Sequence, residues 1–198
     1  MSDLQFSSDS AQRNQQSGFV LWFTGLSAAG KTTVGSLVTR ELESRGHTVE
    51  VLDGGVIRTH LSHGLGYSKE DRDTNIERIG WVSSRLARAG AAVIVSAISP
   101  YEEARRRARA LVEEHAPFVE IHVATPLEVC AERDPKGLYA KARAGEIDQF
   151  TGVSDPYEEP ANPELRLDTA GREPAESAAS VLARLEELEV VAARESVS

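Results

Sequence analysis

The string GLSAAGKT at residues 25–32 fits G-x-x-x-x-G-K-[ST], a pattern whose parts can hold a row of phosphates. Its glycines let the backbone curl so that successive N–H groups point inward at phosphate oxygens. A helix opening near Gly30 adds the positive end of its dipole. Lys31 would reach the β- and γ-phosphates of ATP, and the Thr32 hydroxyl would ligate Mg²⁺. The candidate nucleotide-binding residues are Gly25, Leu26, Ser27, Ala28, Ala29, Gly30, Lys31, Thr32 and Thr33, with Lys31 also catalytic. A glycine-rich turn without a ligand fits less well, because an apolar strand (19–24) runs in and an amphipathic helix, KTTVGSLVTRELESRG, runs out.

A second group sits where the next apolar run ends. LDG at 52–54 places Asp53 beside the cradle, where a carboxylate can hold Mg²⁺ through water or accept a hydrogen bond from an acceptor hydroxyl. Asp is also a preferred helix N-cap, and both roles can hold at once. Arg72, in KEDRD, reads equally well as a member of a solvated charge cluster.

These residues need elements to position them. Apolar runs at 19–25, 48–53, 91–99, 118–124 and 165–169 predict strands, and amphipathic stretches at about 30–45, 69–89, 101–115, 126–132 and 173–190 predict helices. VIVSAI is β-branched and continuously apolar, as a strand covered on both faces should be. Strands alternating with helices imply an α/β fold: a parallel five-stranded sheet in a three-layer sandwich, with ligands at the carboxyl ends of the strands. Residues 133–163 lack an obvious core pattern and predict a lid, partly helical in KGLYAKARAGEI. The domain is expected over 18–190, between a polar, disordered tail at 1–17 and a C-terminal tail at 191–198.

Composition narrows the function further. The chain has 198 residues, enough for one domain with a real core. A formal net charge of −9 argues against a chain-wide grip on nucleic acid or an anionic membrane, though a few Arg and Lys can still converge on a small anion. Cys130 is the only cysteine, so an intramolecular disulfide is excluded and a reducing compartment is expected. The N-terminus has no signal-peptide pattern, and no apolar run approaches the ~20 residues of a membrane span, so a cytoplasmic protein is expected. No T-K-x-D guanine-reading sequence is present, which favours a compact kinase over a GTPase.

From about residue 18 to residue 188 the sequence resembles the adenylyl-sulfate kinases. The strings that carry the resemblance are WFTGLSAAGKTT, LDG-x-x-x-R, LGYSKEDRDTNIERIG, AISPY, PLEVCAERDPKGLYAKARAGEI and FTGVSDPYEEPANPEL. The resemblance implies a P-loop kinase fold that transfers the γ-phosphate of ATP, with Mg²⁺, to the 3′-hydroxyl of adenosine 5′-phosphosulfate. It further implies that Arg58, Arg72 and Asn75 hold the acceptor's phosphosulfate and ribose, a role that suits guanidinium groups. Tyr67, where the family usually has Phe, and Phe150 would clamp the acceptor's adenine; ordinary packing is their alternative. Arg133 would flank ATP's adenine, and Lys136 and Leu138 would touch the acceptor from the lid. The resemblance also puts Ile98 and Ser99 in the acceptor site. The family often assigns the Ser a phosphoserine intermediate, but direct in-line transfer makes a simple acceptor contact the better expectation. A homodimer is implied as well.

Two positions depart from the family pattern. The usual Asp-Gly-Asp after the second strand reads Asp53, Gly54, Gly55, so a candidate carboxylate base is missing. The usual Arg after Ser-Pro-Tyr is Glu102, expected to point along its helix opposite Arg105 or Arg106. Gly55 leaves two rivals open: a related kinase for another small nucleotide, and a catalytically weak nucleotide-binding paralogue.

Overall fold

The computed structural model describes residues 17–193. The expected tails at 1–17 and 191–198 fall mostly outside them. Five strands, β1 (Phe19–Thr24), β2 (Val49–Asp53), β3 (Ala92–Ser96), β4 (Phe118–Val123) and β5 (Leu165–Leu167), form one parallel sheet in the order β2-β3-β1-β4-β5. Between them run α1 (Lys31–Ser44), α2 (Gly54–His60), α3 (Lys69–Arg88), α4 (Glu102–Glu113), α5 (Leu127–Arg133) and α6 (Leu138–Arg143), and α7 (Pro174–Glu187) follows β5.

Side-chain alternation along β1 builds two cores. Phe19, Leu21 and Phe23 join Val34, Val38 and Leu42 of α1 and Val181 and Leu185 of α7 on one face. Val20 and Trp22 join Ile76 and Ile79 of α3 and Ala104, Ala108 and Val112 of α4 on the other. All these residues are essentially removed from water, the main favourable term in folding. α3 and α4 approach closely at Gly80, where an added methyl would lie 2.9 Å from the Ala108 backbone. That distance is inside van der Waals contact, so the two helices set their spacing on a residue without a side chain. β2 is an edge strand, and Val51 is 50% exposed there.

The connection from β1 runs to β2 on one side of the sheet, while that from the neighbouring β3 crosses to β4 on the other, which opens a crevice at the carboxyl ends of β1 and β3. The 133–163 segment lies against the body of the protein. Tyr139, fully buried, donates its hydroxyl to the Ser27 carbonyl at 3.0 Å, and the Glu158 N–H donates to the Pro100 carbonyl at 2.8 Å. Among the described residues no helix is long and apolar enough to cross a membrane.

Candidate active site

The crevice is a cleft of about 750 Å³ bordered by the phosphate loop, the ends of β2 and β3, α3, and the start of the 133–163 segment. The loop leaves β1 at Gly25 with φ 147° and enters α1 at Gly30 with φ 106°, both glycine-favoured conformations. At Gly25 a Cβ would also fall 2.5 Å from the Val123 carbonyl oxygen. α1 has no side-chain N-cap and no acidic residue in its first turn. Its leading N–H groups and positive dipole end are therefore left for an anion.

Lys31 is 8% exposed, and its Nζ donates to the carbonyls of Gly25 (2.9 Å) and Leu26 (2.7 Å). Burial pulls its pKa down to about 8, opposed by the neighbouring Cys130 and Asp53. The Thr32 hydroxyl donates to Asp53 Oδ2 at 2.9 Å, while Asp53 Oδ1 accepts from the Gly55 N–H at 2.9 Å as the N-cap of α2. Capping and site geometry coexist on one carboxylate. Thr125 and Thr169, absent from the sequence expectation, each donate a hydroxyl to the Ala29 carbonyl and so hold the loop from behind. Arg133 donates to the carbonyl and the hydroxyl of Thr169, both at 2.8 Å, and borders the cleft.

On the acceptor side Arg58, Tyr67, Arg72, Asn75, Ile98, Ser99, Lys136 and Leu138 all border the same cleft. Arg58 lies over the Tyr67 ring, 4.3 Å from its centroid, and donates to the Gly66 carbonyl. Arg72 is 7% exposed; its Nε donates to the Tyr67 carbonyl at 2.8 Å and its Nη2 to the Gln149 carbonyl. Asn75, 6% exposed, keeps its Oδ1 buried without a hydrogen-bond partner. A buried amide oxygen left so is costly unless a ligand completes it.

Phe150 lies apart from this group. Its ring is buried edge-on against Tyr139, with centroids 5.0 Å apart, and does not border the cleft, whereas Tyr67 is 55% exposed. Tyr67 borders the cleft, and Phe150 is packed behind it against Tyr139. Gly25, Leu26 and Ala29 shape the loop without bordering the cleft. Glu102 turns to Arg105, with its carboxylate 2.5 Å from Nη2.

Ser99 has φ 41°, a left-handed conformation uncommon for a non-glycine residue. Its hydroxyl accepts from Trp22 Nε1 (3.1 Å) and donates to Thr24 Oγ1 (2.9 Å), and the residue is 1% exposed. A hydroxyl committed twice inside the protein is a poor nucleophile toward a phosphate in the cleft. Ser99→Ala is therefore expected to retain kinase activity within about thirtyfold, the span of losing one or two net hydrogen bonds at about 1 kcal/mol each. An inactive variant, or a labelled phosphoenzyme that chases into product, would restore the intermediate.

The family model described as Adenylylsulphate kinase matches residues 17–168. The chain belongs to the adenylylsulphate kinase family. It is 52% identical over 174 residues to an adenylyl-sulfate kinase of Rippkaea orientalis (strain PCC 8801 / RF-1), covering 88% of this chain and 94% of that protein. It is 54% identical over 178 residues to a probable bifunctional SAT/APS kinase 2 of Sorangium cellulosum, covering 90% of this chain but 30% of that longer protein. Among solved structures it is similar to the Mycobacterium tuberculosis APS kinase CysC in complex with AMPPNP and APS. The TM-score is 0.83 at 47% identity, covering 85% of this chain and 98% of that one. As a family member the chain is an ATP-using kinase with the P-loop kinase fold.

Proposed function

We propose that this kinase transfers the γ-phosphate of ATP to the 3′-hydroxyl of adenosine 5′-phosphosulfate, giving ADP and 3′-phosphoadenosine 5′-phosphosulfate. The observation that carries the acceptor assignment is the convergence of Arg58, Arg72 and the unpartnered Asn75 Oδ1 on one cleft with the phosphate loop. Two guanidinium groups match the planar sets of oxygens on a phosphosulfate, and a buried amide oxygen can accept from a ribose hydroxyl. Arg133 flanks the nucleotide base, Tyr67 offers a face to the acceptor's adenine, and Lys136 and Leu138 contact the acceptor from the 133–163 segment, which excludes water.

Thr32 Oγ1 and Asp53 Oδ2, hard oxygen donors 2.9 Å apart at the cleft edge, fit the needs of Mg²⁺. When bound, the ion would offset the negative charge of the transferring phosphates. Lys31 holds the transferring group, and Ile98 and Ser99 meet the acceptor through their backbone. A coupled ADP-release assay over a nucleotide panel tests the reading. Adenosine 5′-phosphosulfate should be the preferred acceptor, and turnover only with a different nucleotide would overturn it. We also propose a cytoplasmic homodimer, which sedimentation of the purified chain checks for assembly.

Gly55 sets the rate in this reading. It lies in α2 without a positive φ, and an added Cβ would meet only Asp53 Oδ1, at 3.2 Å. An Asp is therefore accommodated by the backbone there, at the cost of some repulsion from Asp53. Gly55→Asp should raise kcat on adenosine 5′-phosphosulfate by up to about tenfold. That is below the usual 10²–10⁴ of general-base assistance, because a loose transition state leaves the attacking hydroxyl largely protonated. A folded variant that is no faster would remove the missing base as an explanation of rate.

A further inference from the structure

Tyr157 reaches across 133 residues of sequence to the root of the phosphate loop, with its hydroxyl 2.9 Å from Thr24 Oγ1. The direction of donation follows from counting protons. Thr24 has one hydroxyl proton, and it goes to the Ile98 carbonyl at 2.7 Å. Ser99 donates to Thr24 and accepts from Trp22, so Tyr157 donates into Thr24's remaining lone pair. Every proton in this cluster is then used once, and the cluster ties the end of β1 to the loop after β3.

The next residue extends the anchor. The Glu158 N–H donates to the Pro100 carbonyl, its carboxylate accepts from the Glu102 N–H at 2.7 Å, and its carbonyl accepts from Arg105 Nη2 at 2.7 Å. Arg105, 2% exposed, also donates to the Ser99 carbonyl at 2.7 Å and pairs with Glu120 at 3.0 Å. Upstream, the Phe150 carbonyl accepts from the N–H groups of Val153, Ser154 and Asp155, which closes residues 150–155 into a tight turn. That turn presents the Gln149 carbonyl and the Asp155 carboxylate to Arg72, the latter 3.9 Å from Nε.

We propose that Tyr157 is a positioning residue for the acceptor side: its bond to Thr24 fixes the 149–158 turn, and the turn orients the Arg72 guanidinium. The inference rests on the proposed function, in which Arg72 meets the acceptor.

Tyr157→Phe is a clean test. It keeps the ring, stacked on His122 at 5.7 Å, and it leaves Thr24 bonded to Ile98 and Ser99. In the full chain, KM for adenosine 5′-phosphosulfate should rise about fivefold, the effect of one net hydrogen bond, while KM for ATP stays within twofold. Amide hydrogen exchange should quicken across residues 149–158, with β1 and β3 unchanged. A merely structural hydroxyl would shift both KM values or neither, and either pattern overturns the proposal. Unchanged exchange at 149–158 overturns it as well. If the parent turns over no adenosine 5′-phosphosulfate, it is the function reading that has failed. Exchange at 149–158, which needs no turnover, then decides the anchoring alone.

Discussion

Replacing Lys31 with alanine should lower phosphoryl transfer by about 10²-fold or more, because this charge stabilises the transferring group by a few kcal/mol. The fold should survive. Nζ bridges only the Gly25 and Leu26 carbonyls at the cleft wall, where water can replace it. Lys31 is more enclosed than a residue facing solvent, and that burial gives the prediction a second arm. In the free protein its pKa is about 8, lowered chiefly by burial. Bound phosphates favour the ammonium form, so ATP binding must pull a proton onto Lys31 at any pH above about 8. The sign follows. ATP affinity is full below that pH and weakens above it, by up to about tenfold per pH unit for one linked proton. Titrating ATP binding from neutral to alkaline pH should show this slope in the parent and lose it in Lys31→Ala. Turnover of the alanine variant within threefold of the parent would remove Lys31 from the chemistry. A parent slope kept in the variant would assign the titration to another group.

What the sequence could reveal depended on how local each signal is. The phosphate loop is contiguous, so its glycines, lysine and threonine were readable as a string, and Asp53 was readable as the last residue of a strand. The sheet and its flanking helices follow from apolar periodicity, and the strand ends put most of the acceptor residues on one cleft. Features set by partners far along the chain were less legible. Ser99 is occupied by Trp22, 77 residues away. The run Arg105, Arg106, Arg107 carries no mark of which guanidinium is buried. Helix phase decides it, leaving the Arg105 side chain 2% exposed and that of Arg106 70% exposed. Thr125 and Thr169 support the loop from the ends of β4 and β5. Only their place just past a strand end could have pointed to them, since threonine is too common to signal by itself.

The largest effect on the acceptor side is expected from Arg72→Ala. The guanidinium is 7% exposed, and its Nε and Nη2 are oriented by the Tyr67 and Gln149 carbonyls. Removing one partner of a desolvated, hydrogen-bonded charge pair typically costs about 2–5 kcal/mol, so kcat/KM for adenosine 5′-phosphosulfate should fall by roughly 30-fold to several thousand-fold. Arg58 is less enclosed, and its alanine variant should lose less. KM for ATP should stay within about threefold in both variants, because neither arginine is hydrogen-bonded to the phosphate loop. Arg72 also holds the 149–155 turn, so a thermal melt must accompany the kinetics, and Arg72→Lys separates the two roles. Lysine restores a positive charge without the planar fork, so it should recover fold stability more fully than acceptor use. If both arginines read the terminal group, the parent should prefer adenosine 5′-phosphosulfate to AMP, and Arg72→Ala should narrow that preference. An equal preference in the parent, or a parallel loss of ATP affinity in Arg72→Ala, would move these arginines out of the acceptor site.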